Sequence, residues 1–260
     1  MIRLVVLDID GTVVRNGDPV PTTRCSAAIR NLSRAGIGVV LASGRMFPGT
    51  ALIHSHLGLS TPLICQQGCG IHAPDGAMIH EVPLAREVAL EIVDYARQQD
   101  LPYEWFNPVR YVVSRRTTQS DVYSELSGIV AEYVEHPEHS GTVPTGVGVI
   151  SSRERASAIH RHLAGAHGEK VHMLDFPEVT VAVSPTANKA TALEIVCADL
   201  SISRHETLAV GDSVNDAPML AWSPNSYAMP GSDAYALAAA RYALDDGEEP
   251  LAELLESLVR

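Results

Sequence analysis

The sequence predicts an α/β fold, in which a mainly parallel sheet is covered by helices and interrupted by an inserted α+β module. Apolar, strand-like runs alternate with helix-like segments over the first 80 residues, a pattern typical of parallel sheets. The same alternation returns after residue 186. Between these regions, helices are mixed with hairpins, which indicates a module of a different kind.

The first region is predicted to supply three strands, two helices and a hairpin turn. The strands are IRLVVLD, IGVVLAS and TPLICQQ, and the helices are TTRCSAAIRNLSRAG and MFPGTALIHSHLGL. Thr22 or Thr23 is suited to the N-cap of the first helix, and Gly36 is suited to its end. Asp75-Gly76 is a typical hairpin turn pair.

The remaining elements follow from the same periodicities. Helices are predicted at PLAREVALEIVDYARQQD, from about Val122 to Glu132, and at SRERASAIHRHLAGAHG, NKATALEIVCADL, DAPMLAWS, SDAYALAAARYAL and EPLAELLESLVR. Strands are predicted in YEWFNPVRYVVSR, VGVISS, KVHMLDFPEVTVAVSP, ETLAVGD and SYAMP. We therefore predict one domain from residues 1–83 and 185–260, and an inserted domain from residues 84–184.

Composition restricts the possible partners and the location of the protein. Lys and Arg number 19 against 31 Asp and Glu, a formal net charge of −12, which argues against binding to nucleic acid or anionic membranes. No apolar run approaches the roughly 20 residues of a membrane span, and the N-terminus does not resemble a signal peptide. We expect a cytoplasmic protein, monomeric or homodimeric, with four reduced, packed cysteines and histidines mostly at the surface.

Carboxylates follow two apolar strands. Asp8 and Asp10 come directly after LVVL, and Asp212 and Asp216 follow TLAV. If these two strands are neighbours in a parallel sheet, the four acids crowd one crevice at its carboxyl edge. Carboxylates so close repel one another unless a cation is present, and a site made of oxygen ligands suits Mg²⁺.

Other polar residues near predicted strand and helix ends suit an anion. LASGR places the hydroxyl of Ser43 and the backbone N–H groups of Ser43 and Gly44 at a strand-to-helix junction, where phosphate can bind. Lys189 opens a helix and can supply positive charge, and the Asn215 amide can donate to a phosphate oxygen. Arg45 is suited equally to pairing with a structural acid or to contacting a substrate.

Four segments of the chain resemble, in order, the motifs of the haloacid dehalogenase (HAD) superfamily. These segments are DIDGT, LASGR, NKATAL and GDSVNDAPML. The insert between the second and third motifs is similar in position and in strand and helix order to a Cof-type, class IIB cap. The resemblance implies a Rossmann-like, HAD-like core with a C2B cap. The family usually has an Asn-Gly pair after the third strand, whereas this chain has Gln67-Gly68.

The resemblance also implies roles for the motif residues. Asp8 would be the nucleophile that forms an aspartyl-phosphate, and Asp10 would act as acid and base and bind metal through its carbonyl. Asp212 would ligate Mg²⁺, and Asp216 would support it directly or through water. The groups that would hold the phosphoryl group are Ser43, Gly44, Lys189 and Asn215, with Arg45 as a further candidate.

Three functions remain open on the sequence. The first is a Mg²⁺-dependent phosphatase for a small phosphorylated metabolite, which from the family would be a sugar or polyol phosphate. The second is a phosphotransferase or mutase of the same superfamily. The third is a non-catalytic phosphate-binding regulatory protein on this fold, although every acid that the motifs require is present.

Overall fold

A computed structural model of the protein describes residues 1–15 and 18–259. The chain divides into two compact units. The first comprises Met1–Gly44, Thr50–Ile79 and Asn188–Arg260, and the second comprises Arg45–Gly49 and His80–Ala187. The second unit contains the whole of the predicted insert, 84–184, together with a few residues on either side and the short segment Arg45–Gly49.

The described strands and helices are numbered along the chain. The strands are β1 (Leu4–Leu7), β2 (Gly38–Ala42), β3 (Leu63–Cys65), β4 (Gly70–His72), β5 (Met78–Glu81), β6 (Tyr103–Asn107), β7 (Arg110–Val113), β8 (Glu132–Tyr133), β9 (Gly146–Ile150), β10 (His172–Asp175), β11 (Val179–Val183), β12 (Thr207–Gly211), β13 (Asn225–Ala228) and β14 (Tyr242–Ala243). The helices are α1 (Thr23–Arg34), α2 (Phe47–Leu57), α3 (Arg86–Gln98), α4 (Thr118–Ser127), α5 (Arg153–His167), α6 (Lys189–Leu200), α7 (Ala217–Trp222), α8 (Ala234–Ala239) and α9 (Pro250–Ser257).

The first unit is built on a sheet with the strand order β14-β13-β12-β1-β2-β3-β4-β5. The strands from β14 to β3 are parallel, and β4 runs antiparallel to β3. Val5 and Leu7 pack in one apolar cluster with residues of α1 and α9. Leu4 and Val6 pack in another, with residues of α6 and α7. Because successive side chains of a strand point to opposite faces, the sheet is covered on both sides, which confirms the predicted fold class.

The second unit is built on a sheet with the order β10-β11-β9-β6-β7-β8. Its strand pairs are antiparallel except for the parallel pair of β7 and β8. Tyr103 and Trp105 of β6 pack with apolar residues of α3 and α5. The alternation along β6 therefore places Glu104 and Phe106 on the opposite face of the sheet.

Several predicted elements have different bounds in the structure. The helix predicted from about Val122 to Glu132 is wrong in its limits, because a capping box between Thr117 and Ser120 starts α4 earlier and Gly128, with φ of 60°, ends it. Glu132 instead begins the short strand β8. The predicted terminal helix extends to Arg260, which lies outside the described residues.

The Ala-rich segment after residue 232 forms a shorter helix than its composition predicts. Helix α8 ends at Ala239, because the following residue has extended backbone angles, φ −71° and ψ 147°. The chain then adds the edge strand β14 to the sheet beside β13. The N–H of Arg241 donates to Ser226 Oγ at 3.0 Å, which fixes this change of direction.

The cysteines behave as predicted, and most histidines are at least partly exposed, also as predicted. Cys25, Cys65, Cys69 and Cys197 are free and buried. His54 is also buried, because its Nε2 lies 2.8 Å from the carbonyl oxygen of Thr61, which replaces a water partner. Within residues 1–15 and 18–259, no helix combines the length and the apolar character needed to cross a membrane.

Candidate active site

Two neighbouring strands of the first unit bring the predicted acids together. Strands β1 and β12 are parallel neighbours, with Leu7 opposite Val210. The N–H of Asp8 still donates to the carbonyl of Val210 at 3.0 Å, so the Asp8 side chain starts where the sheet ends. One carboxylate oxygen from each of Asp8, Asp212 and Asp216 lies within 4.8 Å of the other two. The strand adjacency on which this prediction depended is therefore observed.

Lys189 joins two of these carboxylates. Its Nζ lies 2.5 Å from Asp8 Oδ1 and 2.5 Å from Asp216 Oδ1, and its side chain is fully buried. The residue is placed at the start of α6, where the preceding Asn188 caps the helix by accepting from the N–H of Thr191 at 3.0 Å. Burial favours the neutral amine, but attraction by Asp216 and Asp8 dominates and raises the pKa of Lys189. We read Lys189 as a buried, charged ammonium.

Asp216 organises the loop that follows β12. Its Oδ2 accepts from the N–H of Asp212 at 2.9 Å and of Ser213 at 3.0 Å, while Oδ1 accepts from Lys189. The side chain fits because residue 211 is glycine: a Cβ there would lie 2.5 Å from the Asp216 Cβ. Both oxygens thus have donors from the chain, an arrangement that sequence spacing did not reveal.

Asp212 differs from Asp216 in the hydrogen bonds of its carboxylate. Its Oδ1 is buried and, within the described residues, has no hydrogen bond. Burial, and then repulsion by Asp216, raises the pKa of Asp212 to about 7. Burial and the charges of Asp216 and Asp212 also raise the pKa of Asp8, against the opposing effect of Lys189. Three carboxylates lie together, and the Lys189 ammonium pairs with two of them, so a hard divalent cation such as Mg²⁺ fits this set of donors.

The Ser43–Gly44 segment and the Asn215 amide also meet in the first unit. Ser43 is buried at the end of β2, and its carbonyl accepts from the N–H of Gln67 at 3.1 Å. A Cβ on Gly44 would lie 2.7 Å from Gln67 Nε2 and 3.3 Å from Asn215 Nδ2. The absence of a side chain at Gly44 therefore lets two amide nitrogens approach this turn. Gln67 is a neighbour that the sequence indicated only through its departure from the family's Asn.

Asp10 and Arg45 are the two remaining residues that the sequence predicted for the site. Asp10 is half-buried and forms an isolated β-bridge with Val14. Its negative charge also helps to raise the pKa of Asp212. It therefore lies within electrostatic reach of the other acids. Arg45 is buried but belongs to the second unit, so its contact with a phosphoryl group stays a prediction.

The second unit contains another group of possible metal ligands, His136, Glu138 and His139. Here the buried Glu138 carboxylate accepts from the hydroxyl of Tyr103 at 2.7 Å and lies 3.6 Å from the Arg97 guanidinium. Burial alone would raise the pKa of Glu138, but hydrogen bonds from Tyr103 and His136 lower it. This carboxylate is compensated by the chain itself, so the geometry gives no reason to place a cation here.

Comparisons with known proteins show the family to which the chain belongs. The family model for haloacid dehalogenase-like hydrolases matches residues 5–252. Phosphatase YwpJ of Bacillus subtilis strain 168 is 26% identical, over 87% of this chain and 89% of that protein. A phosphoglycolate phosphatase of Metallosphaera sedula is 29% identical, over 71% of this chain and 86% of that protein.

A solved structure shows the same fold. The haloacid dehalogenase-like hydrolase from Bacteroides thetaiotaomicron matches with a TM-score of 0.86 at 21% identity, over 99% of this chain and 100% of that chain. Together, these similarities confirm the predicted resemblance, fold class and class of enzyme, a phosphoric monoester hydrolase. The chain belongs to the haloacid dehalogenase-like hydrolase family.

Proposed function

We propose that the protein is a Mg²⁺-dependent phosphatase that hydrolyses a small phosphorylated metabolite through an aspartyl-phosphate intermediate. One observation carries the proposal: Lys189 is shared by Asp8 and Asp216, and the nearby buried Oδ1 of Asp212 has no hydrogen bond within residues 1–15 and 18–259. A nucleophilic carboxylate, a cation for the phosphoryl oxygens and a carboxylate oxygen that can ligate a metal are the groups that phosphoryl transfer to a carboxylate requires.

The metal-holding residues in this proposal are Asp8, Asp212 and the backbone carbonyl of Asp10, with Asp216 supporting them directly or through water. When bound, Mg²⁺ would offset the negative charge of the carboxylates and of the phosphoryl oxygens. Two features support this assignment. In the part of the chain that the structure describes, Asp212 Oδ1 has no hydrogen bond. Three carboxylates lie together, and the Lys189 ammonium pairs with two of them.

The first chemical step is displacement at phosphorus. Lys189 holds Oδ1 of Asp8 and fixes the orientation of the carboxylate, and the other carboxylate oxygen of Asp8 attacks the phosphorus atom. A bond forms between that oxygen and phosphorus while the ester P–O bond breaks. The Asp10 carboxyl gives its proton to the departing oxygen, so the product leaves as an alcohol.

The second step returns the enzyme to its starting state. Asp10, now a carboxylate, accepts a proton from water, and the water oxygen attacks the phosphorus of the aspartyl-phosphate. The Asp8–phosphorus bond breaks and inorganic phosphate is released. Ser43, Gly44, Lys189 and Asn215 are proposed to hold the phosphoryl oxygens in both steps, with Arg45 as a further contact.

Substrate preference is assigned to the second unit, which we propose is the cap. The groups proposed for the first unit recognise phosphate alone, so they do not distinguish one phosphate ester from another. A sugar or polyol phosphate is the expected class, and the named substrate of the Metallosphaera sedula relative, phosphoglycolate, is also a small phosphorylated compound. The net charge of −12 supports a small-molecule partner rather than nucleic acid or a membrane surface.

The test is release of inorganic phosphate from a panel of phosphorylated metabolites, with Mg²⁺ and with excess EDTA. Wild type is compared with Asp8→Asn, which removes the nucleophile, and with Asp199→Asn, which makes the same change at an exposed position of α6. We expect release only with Mg²⁺ and only from the wild type and Asp199→Asn. Unchanged release by Asp8→Asn would contradict the proposal.

The same panel separates the alternatives. A phosphotransferase would accumulate the aspartyl-phosphate with little release of phosphate and would depend on a bisphosphate activator. A regulatory protein would bind phosphorylated compounds without forming the aspartyl-phosphate. Either outcome would replace the phosphatase proposal.

A further inference from the structure

The loop after β3 holds three consecutive residues in left-handed backbone conformations. Gln66, Gln67 and Gly68 have φ values of 50°, 63° and 96°. Glycine adopts such angles freely, but a side chain at positive φ is strained and persists where the surrounding structure enforces it. Two adjacent glutamines in this region are therefore a reason to ask what the loop does.

Contacts with two segments of the proposed active site hold the loop in this conformation. A Cβ on Gly68 would clash with the backbone carbonyl of Asn188 and lie 3.0 Å from the backbone nitrogen of Lys189, so only glycine allows this approach to the start of α6. The N–H of Gln67 donates to the carbonyl of Ser43 at 3.1 Å. The left-handed turn thus joins the segment that carries the ammonium to the segment proposed to bind phosphate.

The side chain of Gln67 adds a third connection. Its Oε1 accepts from Asn215 Nδ2 at 2.5 Å, and the Asn215 Oδ1 accepts from Ser213 Oγ at 2.7 Å. Both amides are at least nine-tenths buried, with 8% exposure for Gln67 and 9% for Asn215. Because each end of the Asn215 amide has a partner, its orientation is fixed: the nitrogen, not the oxygen, lies toward Gly44.

We propose that Gln67 is a positioning residue that acts through Asn215. It uses one N–H of the Asn215 amide and so leaves the second N–H to donate to the phosphoryl group at Ser43–Gly44. Without Gln67, the amide can rotate and present its oxygen to an anion, which repels it. The inference rests on the proposed function, because it assumes that a phosphoryl group binds at this turn.

The first test is a double-mutant cycle with Gln67→Ala, Asn215→Ala and the double variant. Steady-state kinetics are measured on p-nitrophenyl phosphate with Mg²⁺. Loss of one hydrogen bond to a charged group lowers kcat/KM by about tenfold, and we expect this loss in each single variant. The double variant should be no worse than Asn215→Ala, because Gln67 acts only through that amide. Multiplied losses in the double variant would overturn the proposal.

A matched variant separates the side chain from the backbone. Gln67→Gly removes the same amide but relieves the left-handed strain, so it should resist urea unfolding at least as well as Gln67→Ala. We expect its kcat/KM to fall as far as that of Gln67→Ala. If Gln67→Gly instead has wild-type kcat/KM, the loss in Gln67→Ala comes from backbone strain and not from the missing amide, and the proposed role is wrong.

A neighbouring variant controls for the loop. Gln66→Ala changes the same residue type at the adjacent left-handed position, and its effect is expected to multiply with that of Asn215→Ala. A coupling to Asn215 as strong as that of Gln67 would mean that the loop as a whole, not Gln67, orients the amide.

A binding measurement keeps this test separate from the proposed function. If wild type releases phosphate from no compound, the phosphatase proposal fails, and the affinity for inorganic phosphate with Mg²⁺ is then compared by calorimetry. Gln67→Ala and Asn215→Ala should each weaken binding by about tenfold, and the double variant should weaken it no further. Equal affinity in wild type and Gln67→Ala would overturn the role of Gln67.

Discussion

The two compact units bury carboxylates in different ways. In the first, Asp8, Asp212 and Asp216 lie together, and the Lys189 ammonium pairs with only Asp8 and Asp216. Burial and repulsion by neighbouring carboxylates raise the pKa values of Asp8 and Asp212. In the second, Glu138 has the Tyr103 hydroxyl and the Arg97 guanidinium as partners, and its pKa is lowered despite burial. Glu138 is compensated by the chain itself, whereas we propose that a ligand compensates the remaining negative charge of the three carboxylates in the first unit.

Removing the shared ammonium should give the largest effect. Lys189→Met leaves buried carboxylates without their cation, and breaking a buried ion pair costs about 3–5 kcal/mol. We expect the free energy of unfolding in urea to fall by this amount and kcat to fall at least about a hundredfold. The exposed Lys170→Met, measured in parallel, should change neither quantity. Wild-type stability and activity in Lys189→Met would show that the ion pairs carry no function.

Glu104 sharpens the comparison, because this acid of the second unit is buried and accepts a hydrogen bond from a neutral hydroxyl, not from a cation. The Tyr111 hydroxyl donates to it, but burial dominates and raises its pKa to about 7. The folded state therefore binds more protons than the unfolded state between pH 4.5 and 7, and this group lowers stability as pH rises through that window.

The measurement is urea unfolding of wild type and Glu104→Gln at pH 5 and pH 8. The glutamine retains an acceptor for Tyr111 but does not ionise. We expect wild type to lose about 2–3 kcal/mol relative to the variant on going from pH 5 to pH 8. Parallel changes in the two proteins would mean that Glu104 does not titrate in this range.

The smallest effect is expected from Tyr103→Phe, which removes a donor from Glu138. A buried charged acceptor that loses one hydrogen bond costs about 1–2 kcal/mol of stability. Activity per folded molecule should be unchanged, because Tyr103 and Glu138 have no part in the proposed chemistry. Tyr235→Phe, at a 59% exposed position, should have no effect on stability. Loss of activity without loss of stability in Tyr103→Phe would contradict the comparison.

The sequence predicted the acids of the site better than the contacts between them. Asp8 and Asp212 were predictable because strand ends in a parallel sheet converge, and β1 and β12 are neighbours. The pairing of Lys189 with both Asp8 and Asp216 could not be predicted. Lys189 is far from both acids along the chain, and the periodicity of a sequence does not show which side chains pair.

Local backbone conformation limited the other predictions. Helix α4 ends at Gly128 because this residue adopts a left-handed conformation. The helix was predicted to continue to Glu132 because the helical pattern of the sequence extends beyond Gly128. The left-handed pair Gln66–Gln67 was unpredictable for the same reason, since glutamine has no preference for positive φ. Five statements stay predictions: the role of Asp10, the placement of Arg45 at a phosphate, the cap function of the second unit, the cytoplasmic location and the oligomeric state.

The most direct test of the central claim is a calorimetric titration of the metal-free protein with Mg²⁺ at pH 8. Wild type, Asp212→Asn and Glu138→Gln are compared, so that one carboxylate is neutralised in each unit. We predict one Mg²⁺ per chain in wild type and Glu138→Gln, and no binding in Asp212→Asn. Retained binding in Asp212→Asn, or loss of it in Glu138→Gln, would contradict the account that uncompensated charge in the first unit marks the catalytic metal site.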